Sequence, residues 1–308
     1  MSQPRTILPP DPTPFKPQYA PPPGACDAHC HIFGPADKFP YAPNRTYTPA
    51  DAGKETLSAL HRHLGFGRAV LVQASCHGTD NSAMVDAMRW SKGAWRGVAM
   101  IDKDVTDREL EDLHAAGARG ARFNFVAHLG GAPDLKAVNE VIARIEPLGW
   151  HVELHLDAED IATYRAFLDD LRVPFIVDHM GRIEARHGVD QQAFREMLDL
   201  MRNDRAWVKV SGADRVSSKA LKQGGPAGSG RFDDAIPFAR ALIEAAPNRV
   251  LWGTDFPHPN AKVMPNDGEL VDLFARIYTD KAMRRKILVE NPNRLYWPES
   301  VPASQSAM

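Results

Sequence analysis

The feature that most constrains the fold of this chain is an eightfold alternation of two kinds of segment. Eight short, apolar, β-rich segments alternate with eight longer segments that have helical spacing of apolar residues. Such alternation indicates parallel strands joined by crossover helices, in a closed barrel or in an open doubly wound sheet. Eight repeats without a Gly-x-Gly-x-x-Gly turn favour a (β/α)8 TIM-type barrel. The predicted strands are 26–33, 68–75, 95–101, 120–125, 150–156, 174–179, 207–212 and 249–255, and the predicted helices are 55–64, 80–90, 106–116, 135–148, 160–171, 191–202, 233–246 and 267–278.

Three regions are expected along the 308 residues. The barrel is predicted as a single domain over residues 24–297, because one barrel commonly takes about 250 residues. A proline-rich arm precedes it over residues 1–23, and proline at this density excludes a helix or a central strand. We therefore expect an extended arm that lies on the surface. A short C-terminal tail, 298–308, completes the chain.

Composition narrows the expected partners and compartment. A net charge of −2 gives no basic excess for nucleic acid or for an anionic membrane. Three cysteines are too few for a disulfide framework, and no apolar run reaches about 18 residues, so we expect a cytoplasmic protein. The glycine-rich segment 223–230 lacks a following Gly-Lys-Ser/Thr and predicts a flexible loop. The sequence leaves the oligomeric state open.

Reactive side chains collect where the predicted strands end. His29 and His31 end the first strand, His155 the fifth, His179 the sixth and Asp255 the eighth. In a (β/α)8 barrel the carboxyl ends of all strands meet at one mouth, where the active site lies. Four histidines and one aspartate are therefore expected to face a common point, which could be a metal ion or a polarised oxygen.

Strand periodicity predicts which side chains face inward. Strict alternation places Asp27, His29 and His31 on one face of the first strand and Cys30 on the other. A cysteine nucleophile is therefore not expected. In the fifth strand the residues His151, Glu153, His155 and Asp157 share the inward face.

Five motifs resemble those of one enzyme family. The segments 27–35 (Asp-Ala-His-Cys-His-Ile-Phe-Gly-Pro), 72–81, 120–125, 178–182 and 252–260 are similar to the amidohydrolase superfamily, and specifically to its group of 2-pyrone-4,6-dicarboxylate lactonases and sulfomuconolactone hydrolases. The similarity runs from about residue 24 to residue 296. It implies an enzyme that opens the ring ester of a small anionic lactone.

The resemblance also implies roles for individual residues. Asp255 would be the general base that takes a proton from the attacking water, while His29, His31 and His179 would polarise the lactone carbonyl. The residues implied to bind the substrate are Ser75, Arg122, His128, Arg215 and His258.

Two positions depart from the family pattern. His155 stands where the lactonases have a tyrosine, and His128 stands where they have an arginine. The lactonases work without a metal, but a histidine at position 155 completes a set of four zinc ligands, His29, His31, His155 and Asp255. The resemblance thus permits a Zn²⁺ cofactor, which would lower the pKa of a bound water.

The alternatives that stay open differ in chemistry. 2-Pyrone-4,6-dicarboxylate is the first expected substrate, and 4-sulfomuconolactone, opened by a zinc-containing relative, is the second. A metal-dependent decarboxylase of aromatic acids is a more distant alternative. A non-catalytic binding protein is disfavoured, because binding alone would not need the base.

Overall fold

The structure, a computed structural model, describes residues 4–220 and 226–300. The first three residues of the arm, the start of the glycine-rich segment and residues 301–308 of the tail lie outside the described residues, so the predictions for them are not tested. Within the described ranges, no helix combines the length and the apolar character that crossing a bilayer requires.

Eight parallel strands form the centre of the molecule, as predicted. Each pairs with its sequence neighbour, in the order β1 to β8. Backbone hydrogen bonds then join the two ends of the sheet, from Ala28 N to Trp252 O (2.9 Å) and from Asp255 N to His29 O (2.8 Å). The predicted (β/α)8 barrel is thereby confirmed. The strands are β1 Cys26–Cys30, β2 Arg68–Val72, β3 Trp95–Ala99, β4 Ala118–Asn124, β5 His151–His155, β6 Phe175–Val177, β7 Ala206–Lys209 and β8 Val250–Leu251.

In the described part of the chain, eight helices of nine or more residues surround the strands, and their bounds agree with the predicted ones to within a few residues. A capping box begins α3, where Thr106 Oγ1 accepts from Glu109 N and Thr106 N donates to Glu109 Oε2. The helices are α1 Lys54–Leu64, α2 Ser82–Trp90, α3 Asp107–Ala116, α4 Leu135–Ile145, α5 Ile161–Asp170, α6 Gln192–Leu200, α7 Ile236–Ala245 and α8 Asp267–Ile277.

Apolar packing closes the barrel at its amino-terminal end. The short helix Asn291–Tyr296 brings Tyr296 and Trp297 against residues such as Cys26 and Trp207, and all of these side chains are buried. A second, larger cluster lies between the strands and the helices. Because the amino-terminal end is filled by apolar side chains, the polar residues of the interior lie toward the carboxyl ends of the strands.

The N-terminal arm is extended and lies along one side of the mouth. Residues Arg5–Thr6 pair in parallel with Tyr47–Thr48 of the loop after β1. Further along the arm, Phe15 N donates to Asn266 Oδ1 (3.2 Å) at the start of α8. A Cβ atom at Gly268 would lie 2.0 Å from Phe15 O, so only glycine allows this close approach of the arm. The arm thus links the loop after β1 to the start of α8.

Candidate active site

Three imidazoles surround one carboxylate oxygen at the mouth of the barrel. The Nε2 atoms of His31, His29 and His179 lie 3.0, 3.5 and 3.8 Å from Oδ1 of Asp255. All four side chains are almost completely buried. The structure therefore brings together the four residues that the sequence predicted as catalytic.

A β-bulge in β1 determines which of its side chains face this point. The pairing of β1 with β2 shifts register between Asp27 and Cys30. His29 and His31 still face inward, but Asp27 faces outward and accepts a hydrogen bond from His61 Nε2 of α1 (3.0 Å). The expectation that Asp27 shares the face of the two histidines is wrong, because strict alternation does not hold across a bulge. Cys30 Sγ contacts Val70 O (3.5 Å), away from the imidazole cluster.

His179 and Asp255 both reach the cluster from backbone in the left-handed region. The residues 179–182 have φ values between 51° and 58°, and Asp255 has φ 66°. The neighbouring Gly212 is required sterically, because a Cβ atom there would lie 2.7 Å from His179 Cβ. His179 Nδ1 lies 3.0 Å from Ser211 Oγ, and this contact orients the ring. Such backbone is costly in non-glycine residues and is typical of functional sites.

Asp255 is ionised although it is fully buried. Burial by itself would raise its pKa, but Arg215 and His179 favour the anion and hold the pKa well below its usual range. Arg215 contacts Asp255 Oδ2 through both Nε (3.1 Å) and Nη2. Its Nη2 also donates to Pro259 O (2.9 Å), which fixes the guanidinium against the carboxylate.

His29 and His179 are neutral. Burial lowers the pKa of His29 and His179 well below the usual value, and the ammonium of Lys209 lowers that of His29 further. His31 Nδ1 lies 2.8 Å from Val72 O, and a carbonyl can only accept, so this nitrogen carries a proton. His31 Nε2 lies 3.0 Å from Asp255 Oδ1, within hydrogen-bond distance of the carboxylate.

This donor set fits a divalent cation. Ligand atoms of His29, His31 and Asp255 lie within 4.8 Å of one another, and His29 Nε2 is buried without a hydrogen-bond partner. Two imidazole nitrogens and a carboxylate are ligands that zinc accepts. His155, the fourth expected ligand, is not part of this group. Its Nδ1 lies 3.3 Å from Arg122 Nη2 instead, and its Nε2 is buried without a partner.

The expected substrate-binding residues occupy different depths. Arg122 is only 5% exposed on β4, and its Nη1 donates to Gln73 O (3.2 Å). Ser75 Oγ lies 3.4 Å from the hydroxyl of Tyr47, in the loop after β1. His128 lies near the rim, with its ring centroid 6.0 Å from that of His155.

His258 has a different environment. It is fully buried, and its Nε2 lies 3.1 Å from Asp267 Oδ1 at the start of α8. Burial would lower the pKa of His258, but Asp267 raises it above the usual value. This ion pair braces the loop that carries Asp255.

A buried charge network beneath the imidazoles was missed at the sequence level. Lys209 forms an ion pair with Glu153, and its Nζ lies 3.0 Å from His29 Nδ1 and 3.5 Å from Asp178 Oδ1. All four side chains are fully buried. Burial, together with the charge of Asp178, raises the pKa of Glu153 to about 7. The sequence feature that could have predicted this network is Lys209. It is a charged residue two positions after Trp207, on a strand whose inward face is otherwise apolar.

Comparison with known proteins places this site in a family. The amidohydrolase family model matches residues 26–297. The 2-pyrone-4,6-dicarboxylate hydrolase of Comamonas testosteroni is 48% identical over 94% of this chain and 95% of its own length. The 4-sulfomuconolactone hydrolase of Hydrogenophaga intermedia is 40% identical over 89% of each chain. A solved structure from Acinetobacter baumannii, provisionally described as a 2-pyrone-4,6-dicarboxylic acid hydrolase and containing citric acid, is 26% identical with a TM-score of 0.77 and covers 89% of this chain and 99% of its own. The chain belongs to the amidohydrolase family.

Proposed function

We propose that this protein hydrolyses the ring ester of 2-pyrone-4,6-dicarboxylate to give 4-oxalomesaconate. The observation that carries the proposal is the ionised Asp255 carboxylate among three imidazoles, with Arg215 paired to it and Arg122 in contact with His155. A relative with 48% identity carries the name of this activity. The small number of cysteines supports a cytoplasmic location. The substrate class supports a role in the catabolism of aromatic compounds, such as those released by lignin degradation.

Asp255 acts as the general base. It takes one proton from water, whose oxygen attacks the lactone carbonyl carbon. The ring C–O bond then breaks, and the ring oxygen leaves with the electron pair and takes up the proton held by Asp255, which becomes a carboxylate again. A low pKa weakens Asp255 as a base but keeps it ionised, and only the ionised carboxylate can accept a proton.

His29 is suited to polarise the carbonyl. In the metal-free site Lys209 Nζ donates to His29 Nδ1, so the neutral ring carries its proton on Nε2, toward the cluster. An N–H group that points at the developing oxyanion from a buried, fixed position stabilises the transition state. His179, whose Nδ1 contacts Ser211 Oγ, lies beside His29, with the two ring centroids 4.4 Å apart.

Arg122 and Arg215 account for the preference for an anion. Both guanidiniums lie within the buried mouth, and planar guanidinium groups bind carboxylates through paired hydrogen bonds. Two substrate carboxylates would offset the positive charge that Asp255 balances only in part.

Zinc is compatible with the site. His29, His31 and Asp255 would hold the ion, and when bound it would supply Lewis-acid polarisation of the carbonyl and a more acidic water.

A substrate panel tests the proposal. Purified protein is assayed with 2-pyrone-4,6-dicarboxylate, with 4-sulfomuconolactone, with a neutral six-membered lactone and with an aromatic acid. Loss of the pyrone absorbance at a rate far above that of the neutral lactone is the expected result. Preferential opening of the sulfonated lactone would favour the second candidate, and release of carbon dioxide from the aromatic acid would contradict hydrolysis.

The metal requirement is tested on the same preparation. Protein purified without added metal is analysed for zinc, treated with a chelator and assayed again, beside the His155→Tyr variant. Stoichiometric zinc whose removal abolishes activity supports a metal site, and loss of that zinc in His155→Tyr would extend the ligand set to position 155. Full activity in metal-free protein would exclude a metal requirement and leave the acid–base site alone.

A further inference from the structure

The junction between β1 and β8 is held by a buried carboxylate. Within the described chain, the regular pairing of the sheet runs from β8 through β7 to β1 and leaves these two end strands without a shared ladder. Asp27 is fully buried at this junction. Its Oδ1 accepts from Thr254 N (3.0 Å), and its Oδ2 accepts from Thr254 Oγ1 (2.6 Å). The carboxylate therefore adds side-chain hydrogen bonds to the backbone hydrogen bonds that join the two strands.

The same carboxylate also accepts a hydrogen bond from the backbone of the first catalytic histidine. Asp27 Oδ1 also accepts from His29 N (3.2 Å), and its Oδ2 accepts from His61 Nε2 of α1 (3.0 Å). One side chain thus contacts the backbone of His29 and the residue before Asp255. We call Asp27, His61 and Thr254 the seam network.

Thr254 controls the strained turn at Asp255. Its hydroxyl donates to Asp27 Oδ2 and accepts from Phe256 N (3.1 Å), so it spans the residues on both sides of Asp255. Asp255 itself has φ 66°, which is unfavourable for a residue with a side chain. Hydrogen bonds on both sides of that residue hold it in this conformation.

At Gly253 the two strands are so close that no side chain fits between them. A Cβ atom at Gly253 would lie 2.3 Å from His29 N and 2.8 Å from Asp27 Oδ1. Backbone contact of this kind fixes the distance between the segments that carry His29 and Asp255. The hydrogen bonds of the seam network then fix the orientation of these two segments relative to each other.

We infer that Asp27 and Thr254 are positioning residues, which set the Asp255 carboxylate at its place among the imidazoles. The inference rests on the proposed function, because the position matters through the reaction at Asp255. Neither residue is among the side chains that surround Asp255 Oδ1, so both act through the backbone of their neighbours. Displacement of a catalytic group by about 1 Å can cost about 10²-fold in rate.

Thr254→Val and Thr254→Ser form the matched pair that tests the inference. Valine keeps the shape of threonine but removes the hydroxyl, and serine keeps the hydroxyl but removes the methyl group. For Thr254→Val we expect kcat to fall about 10- to 100-fold, the range seen when groups that orient catalytic ligands are removed. KM should stay within about threefold, because Arg122 and Arg215 do not hydrogen bond to the network. Thr254→Ser should keep kcat within about threefold of the wild type.

The outcomes separate the two hypotheses. If the wild type does not open 2-pyrone-4,6-dicarboxylate, the proposed function fails. If the wild type is active and folded Thr254→Val keeps its kcat, the positioning role fails. The role also fails if kcat falls and KM changes to the same extent in Thr254→Val and in Thr254→Ser. Circular dichroism and thermal unfolding identify the folded variants. Should Thr254→Val not fold, Thr254→Ala removes the same hydroxyl in a smaller side chain, and it must show the same loss of kcat.

Discussion

At the residue scale, the chemistry depends on how three effects act on the Asp255 carboxyl group. Burial opposes its ionisation, whereas Arg215 and the neighbouring imidazoles favour it, and their combined effect is larger. The carboxylate is therefore a permanent anion over the working pH range. Arg215 in turn depends on Asp255, because an unpaired buried guanidinium would be costly.

Asp255→Asn tests the base directly. The amide keeps the shape of the side chain but does not accept a proton, so we expect kcat to fall about 10²- to 10⁴-fold. The folded fraction should also decrease, because Arg215 loses its ionic partner. Steady-state kinetics and thermal unfolding measure the two effects separately. Folded Asp255→Asn with near-normal turnover would exclude Asp255 as the base.

His128 gives a second test at this scale. Burial, and then the charges of Arg182 and Arg215, lower the pKa of His128 to about 4. The ring is therefore neutral at neutral pH and cannot supply the positive charge that an arginine, the residue expected there from the family resemblance, would carry. We expect His128→Arg to lower KM for the dicarboxylate severalfold, whereas His128→Gln should leave KM almost unchanged. A large rise of KM in His128→Gln at neutral pH would show that the neutral ring itself binds substrate.

The strand-end positions of His29, His31, His179 and Asp255 could be predicted from sequence, because the ends of parallel strands in a barrel meet at one mouth. The outward direction of Asp27 could not, because a bulge depends on pairing with another strand. Contacts between distant segments, such as that of Lys209 with His29, could not be predicted either. Local patterns do not specify which inward side chains meet.

At the element scale, β5 shows how a buried polar residue is accommodated within a strand. His151 faces the interior at the start of β5, as the alternation predicted, and its ring lies 5.0 Å from that of Tyr296. Gly120 of β4 leaves the necessary space, since a Cβ atom there would lie 2.6 Å from His151 Nε2. Burial, and then Lys209, lower the pKa of His151 to about 3.

This shift makes stability depend on pH. Above the unfolded pKa of about 6.5 both states are neutral, and below it the unfolded chain binds a proton that folded His151 refuses. Stability is therefore lost as pH falls from about 6.5 toward about 3, and His151 accounts for about 2 kcal/mol of that loss between about pH 7 and pH 5. Urea unfolding at the two pH values should show a smaller difference for His151→Leu than for the wild type by this amount. Equal pH differences in both proteins would contradict the assignment.

Helix and strand order was predictable because apolar periodicity is a local property, and the predicted helices differ from the observed ones by a few residues. The strands at the mouth were predicted too long. β6 ends at Val177 and β8 at Leu251, so His179 and Asp255 lie after the strands and not within them. There the chain turns into left-handed conformations that depend on tertiary contacts, and apolar composition alone does not reveal them.

At the scale of the whole molecule, the mouth of the barrel gathers arginines although the chain has a net charge of −2. Three of them, from β4 and from the segments after β6 and β7, form ion pairs there with aspartates. Arg5 of the arm donates to the neutral Asn260 Oδ1 (2.6 Å), so this contact does not offset its charge. Opposite charge at a concave entrance accelerates the encounter with an anionic substrate.

This distribution predicts a salt effect that depends on substrate charge. Raising the ionic strength from about 0.01 M to about 0.15 M shortens the Debye length from about 30 Å to about 8 Å. We therefore expect kcat/KM for the dicarboxylate to fall severalfold, while that for a neutral lactone stays constant. Arg5→Gln should reduce the slope, since it removes a charge from the exposed rim without touching the buried cluster. Arg202→Gln, an exposed arginine that follows α6 at the other end of the barrel, is the matched control and should leave the slope unchanged. If the dicarboxylate shows no salt dependence, or if both variants change it equally, the arginines at the mouth do not steer the substrate.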